Sequence, residues 1–327
     1  MDIDCSIIIC THNPRREYLD RVLASLKQQT LPYANWELLL IDNASNDALK
    51  NSIDLSWHPN GRHIREEELG LTPARLRGIR ESRGPFLIYV DDDGVLAPNY
   101  LETAFSILQL RPWLGVIGAG ELQPEFEKAP APKFQQLLHF LAIRSVTRAI
   151  WSNRPDDYDT IPFGAGLCVR RNVSLRYVDL LAKLNANECL DRRGVELNCG
   201  GDNLFSFAAA FSDLGFGLFP ELKIRHLIPA VRLKETYFLR LLEAHGFSHV
   251  IIGYLLNTID GRPATTLGSL RRLLSVARNG VFDLRLELAA QRGRRRAWRY
   301  ISARALTPLS FEAISRNPTF IPISATM

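Results

Sequence analysis

Short apolar runs alternate with stretches of helical spacing over the first 120 residues. Cys5–Cys10, Trp36–Ile41 and Phe86–Val90 are short, apolar and partly β-branched or aromatic, which is typical of buried strands. Between them, the spacing predicts one helix around Leu19–Leu26 and another over Thr72–Glu81. A further short strand is expected near residues 63–65. This alternation predicts βαβ units and a mostly parallel sheet flanked by helices, an α/β fold.

The later pattern is less regular. It predicts helices over Tyr100–Leu110, Phe134–Trp151 and Cys199–Phe211, strands over Gly115–Gly118, Phe163–Val169, Phe216–Phe219 and Leu222–Leu227, and a proline-rich mobile connection over 122–133. Beyond Val231 only helices are expected, over Lys234–His245, Val250–Asn257 and Leu267–Ala305, the last broken at Asn279-Gly280. We therefore expect one domain over 1–230, with halves 1–120 and 121–230, and a helical region over 231–327.

Composition indicates the class of protein and its cellular setting. The 327 residues are 46% hydrophobic and 23% charged, as in ordinary globular proteins, and the net charge is +5. Five cysteines, an odd number without a C-x-x-C pair, indicate a reducing, cytoplasmic setting. Acidic residues ahead of the first apolar run argue against a signal peptide, and no apolar run is long enough for a spanning helix.

Three consecutive aspartates, Asp91–Asp93, follow the strand predicted at Phe86–Val90. Neighbouring carboxylates repel one another and are costly to bury. A cation would supply the missing charge, and oxygen ligands suit Mg²⁺ or Mn²⁺. The carboxyl end of a strand in such a sheet is also where ligands bind. The triplet therefore predicts a divalent metal site, with a solvated acidic turn as the alternative.

Other polar residues are predicted to lie at the same edge of the sheet. Thr11 and Asn13 follow the first strand and Asp42 follows the second, so parallel strands would place all three in the crevice that holds the triplet. Arg75 begins the helix before the triplet, where a helix N-terminus and a guanidinium both favour phosphate. A metal, an anion site and a carboxylate for a heterocycle together indicate a nucleoside diphosphate.

Four segments in this order and spacing carry a specific resemblance. They are CSIIICTHNPRREYLDRVLASLKQQT, ELLLIDNASND, LGLTPARLRGI and FLIYVDDDGVLAPNYLE. The chain resembles inverting nucleotide-sugar glycosyltransferases of family 2, which have a GT-A fold, well over Cys5–Glu102 and less closely to about Ile228. The later GAGLCVRR and GGDNLFSFAAAFSDLGF resemble acceptor-side motifs. HLIP, at 226–229, resembles a subgroup from surface-polysaccharide pathways.

The resemblance implies a role for each matching residue. Thr11 and Asn13 would lie against the nucleoside, Asp42 would accept a hydrogen bond from uracil or ribose, and Arg75 would approach the phosphates. Asp91 and Asp93 would be the acids of a D-x-D motif that binds Mn²⁺ or Mg²⁺, with Asp92 beside the donor and His226 as a third metal or diphosphate ligand. Asp202 would be the general base. The donor expected is a UDP-sugar, with thymine or guanine nucleotides as alternatives, and the acceptor a saccharide or lipid-linked saccharide.

The sequence departs from the family pattern at three positions. Gly201 stands where an acid often precedes the base, Leu76 replaces an asparagine, and Gly94 replaces a fourth acid. Four of the site residues also have a structural alternative: Asp202 as a helix cap, Asp42 as a turn former, His226 as a structural histidine and Arg75 as the partner of a surface acid.

The basic excess lies in the segment 288–304. Six arginines fall between Glu287 and Glu312 with no acid among them. This face is either solvated or in peripheral contact with anionic lipid at the inner face of a membrane. Nucleic acid is not expected, since no recognition motif accompanies the charge.

Three other functions compete with a transferase. Ile88–Val95 also fits the D-x-D-G-[TV] string of haloacid-dehalogenase-type phosphatases, with Asp91 as nucleophile and Asp93 as general acid, although the string comes late and Ser206 stands where a second acid is needed. Val116–Gly120 begins like a dinucleotide-binding fingerprint but lacks its third glycine. An inactive transferase-like scaffold is the non-enzyme alternative.

Overall fold

Four parallel strands form the first half of the sheet. In the computed structural model, which describes residues 3–184, 189–257 and 268–304 with 259, 306 and 308 (the backbone alone over 268–280), they run in the order β3-β2-β1-β4. Their bounds are β1 Cys5–Thr11, β2 Trp36–Asn43, β3 Gly61–Glu66 and β4 Phe86–Tyr89. All residues of β2 are buried, as continuous apolar strands of a covered parallel sheet should be. The predicted βαβ units are confirmed.

Helices cover both faces of this sheet. Alternate residues of β1 point to opposite sides, so Ile7 and Ile9 join one hydrophobic cluster and Ile8 joins the other. The helices are α1 Arg16–Lys27, α2 Leu71–Glu81, α3 Tyr100–Leu110, α4 Arg171–Leu184 and α5 Gly201–Ala210. Helices α1 and α3 lie on the Ile7 side, and α2, α4 and α5 lie on the Ile8 side.

The second half of the sheet mixes directions. Its strands are β5 Gly94–Leu96, β6 Leu114–Phe126, β7 Arg144–Ser145, β8 Ile150–Ser152, β9 Cys168–Arg170 and β10 Gly215–Ile228. The full order is β3-β2-β1-β4-β9-β6-β10-β5, with β9 and β5 antiparallel to their neighbours. The expected α/β fold with a mostly parallel sheet is confirmed.

Two expectations for this half are wrong. The helix predicted over Phe134–Trp151 is a 3-10 helix at Pro132–Leu141, and it ends at Ala142 in the left-handed conformation (φ 54°). Beyond it, β7 pairs with β6 and β8 pairs with β10. This pairing makes the two segments strands despite their helical spacing. The connection expected over 122–133 begins inside β6, because β10 pairs with β6 as far as Phe126.

The strands expected at Phe216–Phe219 and Leu222–Leu227 are one strand, β10. Its pairing with β6 shifts register between Phe219 and Lys223, around Pro220, which has no N–H to donate. This long strand carries the chain from the core to His226, at the end of the sheet where the acidic residues lie.

Two long helices follow, α6 Glu235–Leu255 and α7 Gly268–Arg304, and both are continuous. The breaks expected after His245 and at Asn279-Gly280 are therefore wrong. One of the two glycines in α6, Gly246, allows a close approach of α7, since a Cβ there would overlap the Ala290 carbonyl oxygen. Gly293 faces Glu243 in the same way. No helix in the described part of the chain is long and apolar enough to cross a bilayer.

The helices beyond residue 230 share the core of the sheet. Phe247 and Ile251 of α6 and Ala297 of α7 belong to the same hydrophobic cluster as α4 and α5. The division into domains at 230 stays a prediction, and much of the segment after residue 304 lies outside the described residues.

The contact between α6 and α7 generates a stability prediction. Gly293→Ala should destabilise the protein by about 1–3 kcal/mol, because its Cβ would overlap the backbone of Glu243, whereas Gly→Ala within an exposed helix is normally stabilising. Denaturant unfolding measures the change, with Arg295→Ala on the exposed side of α7 as the control. Unchanged or increased stability in Gly293→Ala would contradict the packing described.

Candidate active site

The aspartate triplet forms the turn between β4 and β5, beside the end of β1. The Gly94 N–H donates to the Asp91 carbonyl oxygen at 3.1 Å, which closes the turn, and the Leu227 N–H donates to that of Asp93 at 2.8 Å. Thr11 at the end of β1 donates its hydroxyl to Asp92. The structure thus brings Thr11 and the triplet together at the carboxyl ends of the parallel strands.

The pKa values of the three carboxyl groups are shifted in different directions. Burial raises the pKa of Asp92 to about 7, and the charge of Asp93 adds to this effect. Burial also raises the pKa of Asp91, again with a contribution from Asp93. Burial acts on Asp93 in the same direction, but Arg232 and His226 outweigh it and lower the pKa of this group. The triplet therefore holds more negative charge than its partners balance.

Arg232 is the partner that sequence reasoning missed. It lies in a single 3-10 turn, Ala230–Leu233, directly after β10, and its Nη2 is 2.9 Å from Asp93 Oδ2. Its Nη1 donates to His226 Nε2 at 3.2 Å, and that nitrogen is 3.6 Å from Asp93. The only sequence signal was its position three residues beyond Pro229, where the sheet pattern ends.

His226 lies where the resemblance places it, at the acidic end of β10. Its ring is buried, and its Nδ1 has no hydrogen-bond partner among the described residues. The expectation that it binds metal or diphosphate stays a prediction.

The side of the crevice next to the triplet is built from the ends of β1 and β2. Asp42 accepts hydrogen bonds from the Ser45 and Leu49 N–H groups at 3.2 and 3.0 Å and from Arg65 at 2.9 Å. Burial opposes ionisation of Asp42, but these donors lower its pKa. Asn13 accepts the Asn46 N–H at 2.9 Å. Asn13 and Asp42 thus fix one shared loop beside Thr11.

Asp202 lies in the first turn of α5. Its Oδ1 accepts from Arg75 Nη2 and its Oδ2 from the Gly164 N–H, both at 2.8 Å, and its side chain is 26% exposed. Helix α5 has no side-chain cap, so the structural alternative for Asp202 as a cap is wrong. The guanidinium carbon of its partner Arg75 lies 5.9 Å from the ring of Tyr89, the last residue of β4, so Asp202 lies near the end of the strand that leads to the triplet.

Arg75 is buried rather than open to the crevice. Its Nη1 lies 3.1 Å from Asp191 Oδ2, while its Nη2 contacts Asp202. Its partners are therefore acids of the interior, not a surface acid, and its expected approach to phosphate stays a prediction. Asp191 is a second residue that sequence reasoning missed, because it lies in a loop with no periodicity.

The acidic residues suit a divalent cation only in combination with a ligand. Among the described residues, no three His, Cys, Asp or Glu side chains are close enough to hold a metal ion by themselves. Burial, together with the charge of Asp93, raises the pKa values of Asp91 and Asp92. A cation would favour their ionised forms, and carboxylate oxygens suit Mg²⁺ or Mn²⁺. Mg²⁺ usually takes one or two carboxylates and completes its shell with phosphate oxygens and water. The residues present fit that arrangement.

The segment Val116–Gly120 is not a dinucleotide site. It lies within β6 rather than in a turn between a strand and a helix, as the fingerprint requires. That alternative is wrong.

The comparisons with known proteins agree with this geometry. Residues 6–122 match the sequence profile described as Glycosyl transferase family 2. Glycosyltransferase AglE of Haloferax volcanii is 29% identical over 32% of this chain and 34% of its own, and the validoxylamine A glucosyltransferase of Streptomyces hygroscopicus subsp. jinggangensis is 29% identical over 31% of this chain and 24% of its own. The chain matches about a third or less of the length of these relatives. The predicted resemblance to family 2 glycosyltransferases is confirmed.

A solved mannosyltransferase structure compares over nearly the whole chain. Mannosyltransferase PcManGT from Pyrobaculum calidifontis, solved in complex with GDP-Man and Mn²⁺, covers 96% of this chain and 78% of its own with a TM-score of 0.51 and 17% identity. At that identity the likeness shows the fold, and the expected GT-A type fold is confirmed.

The charge balance around Asp93 generates a prediction. Arg232→Leu should lower the free energy of unfolding of the metal-free protein at pH 7, by about 3–5 kcal/mol, as removal of one partner from a buried pair does. Without the guanidinium the pKa of Asp93 rises, so the folded variant binds a proton as the pH falls. The deficit relative to wild type should therefore shrink from pH 8 to pH 5.

Urea unfolding in EDTA at several pH values measures this difference. Arg16→Leu is the control, because Arg16 pairs with Asp20 where both side chains are about half exposed, 53% and 49%. A deficit in Arg232→Leu that does not change with pH would contradict the assigned electrostatics.

Proposed function

We propose that this protein is an inverting glycosyltransferase. It would transfer a sugar from a nucleoside diphosphate donor, with a UDP-sugar favoured, to a hydroxyl of a saccharide or glycolipid acceptor. The observation that carries the proposal is that Asp202 pairs with Arg75, whose guanidinium carbon lies 5.9 Å from the ring of Tyr89, at the end of the strand that leads to the triplet. The family match and the fold support transferase chemistry; inversion, donor and acceptor are our inference.

The donor half of the site would use the loops after β1, β2 and β4. Thr11, Asn13 and Asp42 would lie against the nucleoside. Asp91 and Asp93, with Asp92 beside them and His226 as a third group, would hold Mn²⁺ or Mg²⁺. When bound, the ion would offset negative charge on the departing diphosphate. Arg232 faces the same acids and would contribute positive charge at this end of the pocket.

The acceptor half would use Asp202 as general base. Each of its oxygens accepts one hydrogen bond from the protein, which leaves further lone pairs for an acceptor hydroxyl. Asp202 would take the hydroxyl proton as that oxygen bonds to the anomeric carbon and the bond to the diphosphate oxygen breaks. A single displacement of this kind inverts the anomeric configuration.

The phosphatase alternative is weaker on physical grounds. In that mechanism Asp93 would donate a proton as general acid, yet Arg232 and His226 hold its pKa below the ordinary value against the effect of burial. A general acid works best with a pKa near the operating pH. A scaffold function would leave the retained acids and the two arginines without a role.

The catalytic assignment predicts the behaviour of two variants. Asp202→Asn and Asp93→Ala should each lower sugar-nucleotide turnover by about 10²–10⁴-fold, because one removes the base and the other a metal ligand. Nucleotide release from a panel of UDP-, GDP- and dTDP-sugars with Mn²⁺ measures turnover, and circular dichroism checks the fold. Asp20→Asn, on the exposed side of α1, is the matched control. Substantial turnover in both variants would refute the assignments.

The basic helix supports a proposal about location. Arg292, Arg295 and Arg299 are exposed along one side of α7, whereas Arg296 lies over the Phe247 ring and donates to Asn198. An exposed cationic row would bring a lipid-linked acceptor to the site through contact with anionic lipid at the inner face of a membrane.

Liposome flotation tests this contact. The wild type should float with vesicles that contain anionic lipid and should not float with neutral vesicles, and Arg295→Ser with Arg299→Ser should weaken flotation because about 1 kcal/mol is lost per charge. Arg15→Ser with Arg16→Ser, on exposed positions of another helix, keeps the net charge matched. Equal flotation on both vesicle types would contradict the proposal.

A further inference from the structure

A buried arginine joins two acids beneath the pocket. Arg75 is 3% exposed at its side chain and bridges Asp191, which is 5% exposed, and Asp202, which is 26% exposed. Asp191 also accepts the Thr72 hydroxyl at 2.9 Å. Asp191 and Arg75 are therefore buried, and Asp202 is the partly exposed member of the three.

The inner end of the chain fixes the guanidinium. Asp191 contacts Arg75 through both carboxylate oxygens, at 3.1 and 3.2 Å from Nη1. The rings of Tyr89 and Phe205 each lie 5.9 Å from the guanidinium carbon, a distance at which a cation is attracted to an aromatic face. With Nη1 held in this way, Nη2 donates to Asp202 at 2.8 Å.

Gly164 holds the second carboxylate oxygen of Asp202. Its N–H donates to Oδ2 while Arg75 donates to Oδ1, so the plane of the carboxylate is defined at both oxygens. A Cβ at Gly164 would lie 2.6 Å from Arg75 Nη2 and 2.9 Å from Asp202 Oδ1. Only glycine allows this backbone to approach the ion pair so closely.

The absence of a side chain at Gly201 leaves room beside Asp202 for the carboxylate of Asp191. A Cβ at this position would overlap both carboxylate oxygens of Asp191. The carboxylate of Asp191 therefore occupies the space where a side chain of residue 201 would begin. An acid reaches the neighbourhood of Asp202 from a separate loop, and a glycine at 201 is the condition for it.

We propose that Arg75 and Asp191 are positioning residues for the general base and do not bind the donor phosphates. Asp191 holds Arg75, and Arg75 with Gly164 holds the carboxylate of Asp202 in the orientation that accepts the proton of the acceptor hydroxyl. This inference rests on the proposed function, and it replaces the phosphate contact expected for Arg75 from sequence. Misplacement of a reacting group by about 1 Å can cost a factor of about 100 in rate.

The test separates catalysis from donor binding. Asp191→Asn preserves the shape of the side chain but removes its charge, and Arg75→Lys retains a charge that reaches only one carboxylate. We expect both variants to lower kcat about tenfold or more, with the Kd for UDP or GDP with Mn²⁺ unchanged within about twofold. Calorimetry gives the Kd, and nucleotide release gives kcat.

A reciprocal exchange provides the rescue. Asp191→Gly should lower kcat. The double variant Asp191→Gly with Gly201→Asp should recover part of it, because the new side chain at 201 begins where the carboxylate of Asp191 lay and places an acid near Arg75 again. Arg16→Lys and Asp20→Asn, an exposed ion pair of α1, are the matched controls and should leave kcat unchanged. Thermal unfolding identifies any variant that fails to fold. If Asp191→Asn fails to fold, Arg75→Lys tests the proposal instead.

The outcomes separate the two proposals. A wild type that releases nucleotide from no sugar nucleotide overturns the proposed function and this inference with it. An active wild type, with Arg75→Lys or Asp191→Asn that weakens nucleotide binding tenfold at unchanged kcat, overturns this inference alone and returns Arg75 to the phosphates. A fall in kcat at constant Kd, with recovery in the exchanged pair, supports it.

Discussion

Two arginines, Arg75 and Arg232, offset the cost of burying carboxylates at the acidic end of the sheet. Carboxylates collect at the carboxyl ends of the parallel strands, where burial makes every ionised oxygen costly. Arg232 balances Asp93 at one end and Arg75 balances Asp191 and Asp202 at the other. The acids still outnumber these cations, and burial together with the charge of Asp93 raises the pKa values of Asp91 and Asp92. Such a site favours a ligand that brings positive charge to the carboxylates, such as a divalent cation.

The two arginines also explain how distant parts of the chain meet at one place. Arg75 comes from α2 beside the parallel strands, while Arg232 comes from the turn that follows the longest strand, β10. Because β10 ends beside β5 and the triplet, the start of the helical region contributes Arg232 directly to the acidic end of the sheet. The helices after residue 230 then pack on the same core through Gly246 and Gly293. The site therefore depends on both regions of the chain.

The sequence predicts the parallel half of the fold well, for a physical reason. Strands buried on both faces must be apolar throughout, so Cys5–Cys10 and Trp36–Ile41 are visible without any partner, and polar residues after them mark the ligand edge. Residues 134–151 show the limit: their helical spacing is overridden by pairing with β6 and β10, which a local pattern does not contain. Glycine usually disfavours helix, but Gly246 lies inside α6 and allows close contact with α7. Asp191 and Arg232 lie outside any periodic segment and acquire their role only through distant partners.

The central claim is that this pocket binds a nucleoside diphosphate together with a divalent cation, and thermal unfolding with UDP, GDP and dTDP, each with and without Mn²⁺, tests it most directly. A ligand that binds only the native state at 100 times its Kd stabilises it by about 2.7 kcal/mol, a shift of a few degrees in Tm. The account predicts that one nucleotide raises Tm clearly and that Mn²⁺ enlarges the rise. A Tm that responds to none of the three nucleotides, with or without Mn²⁺, would contradict it.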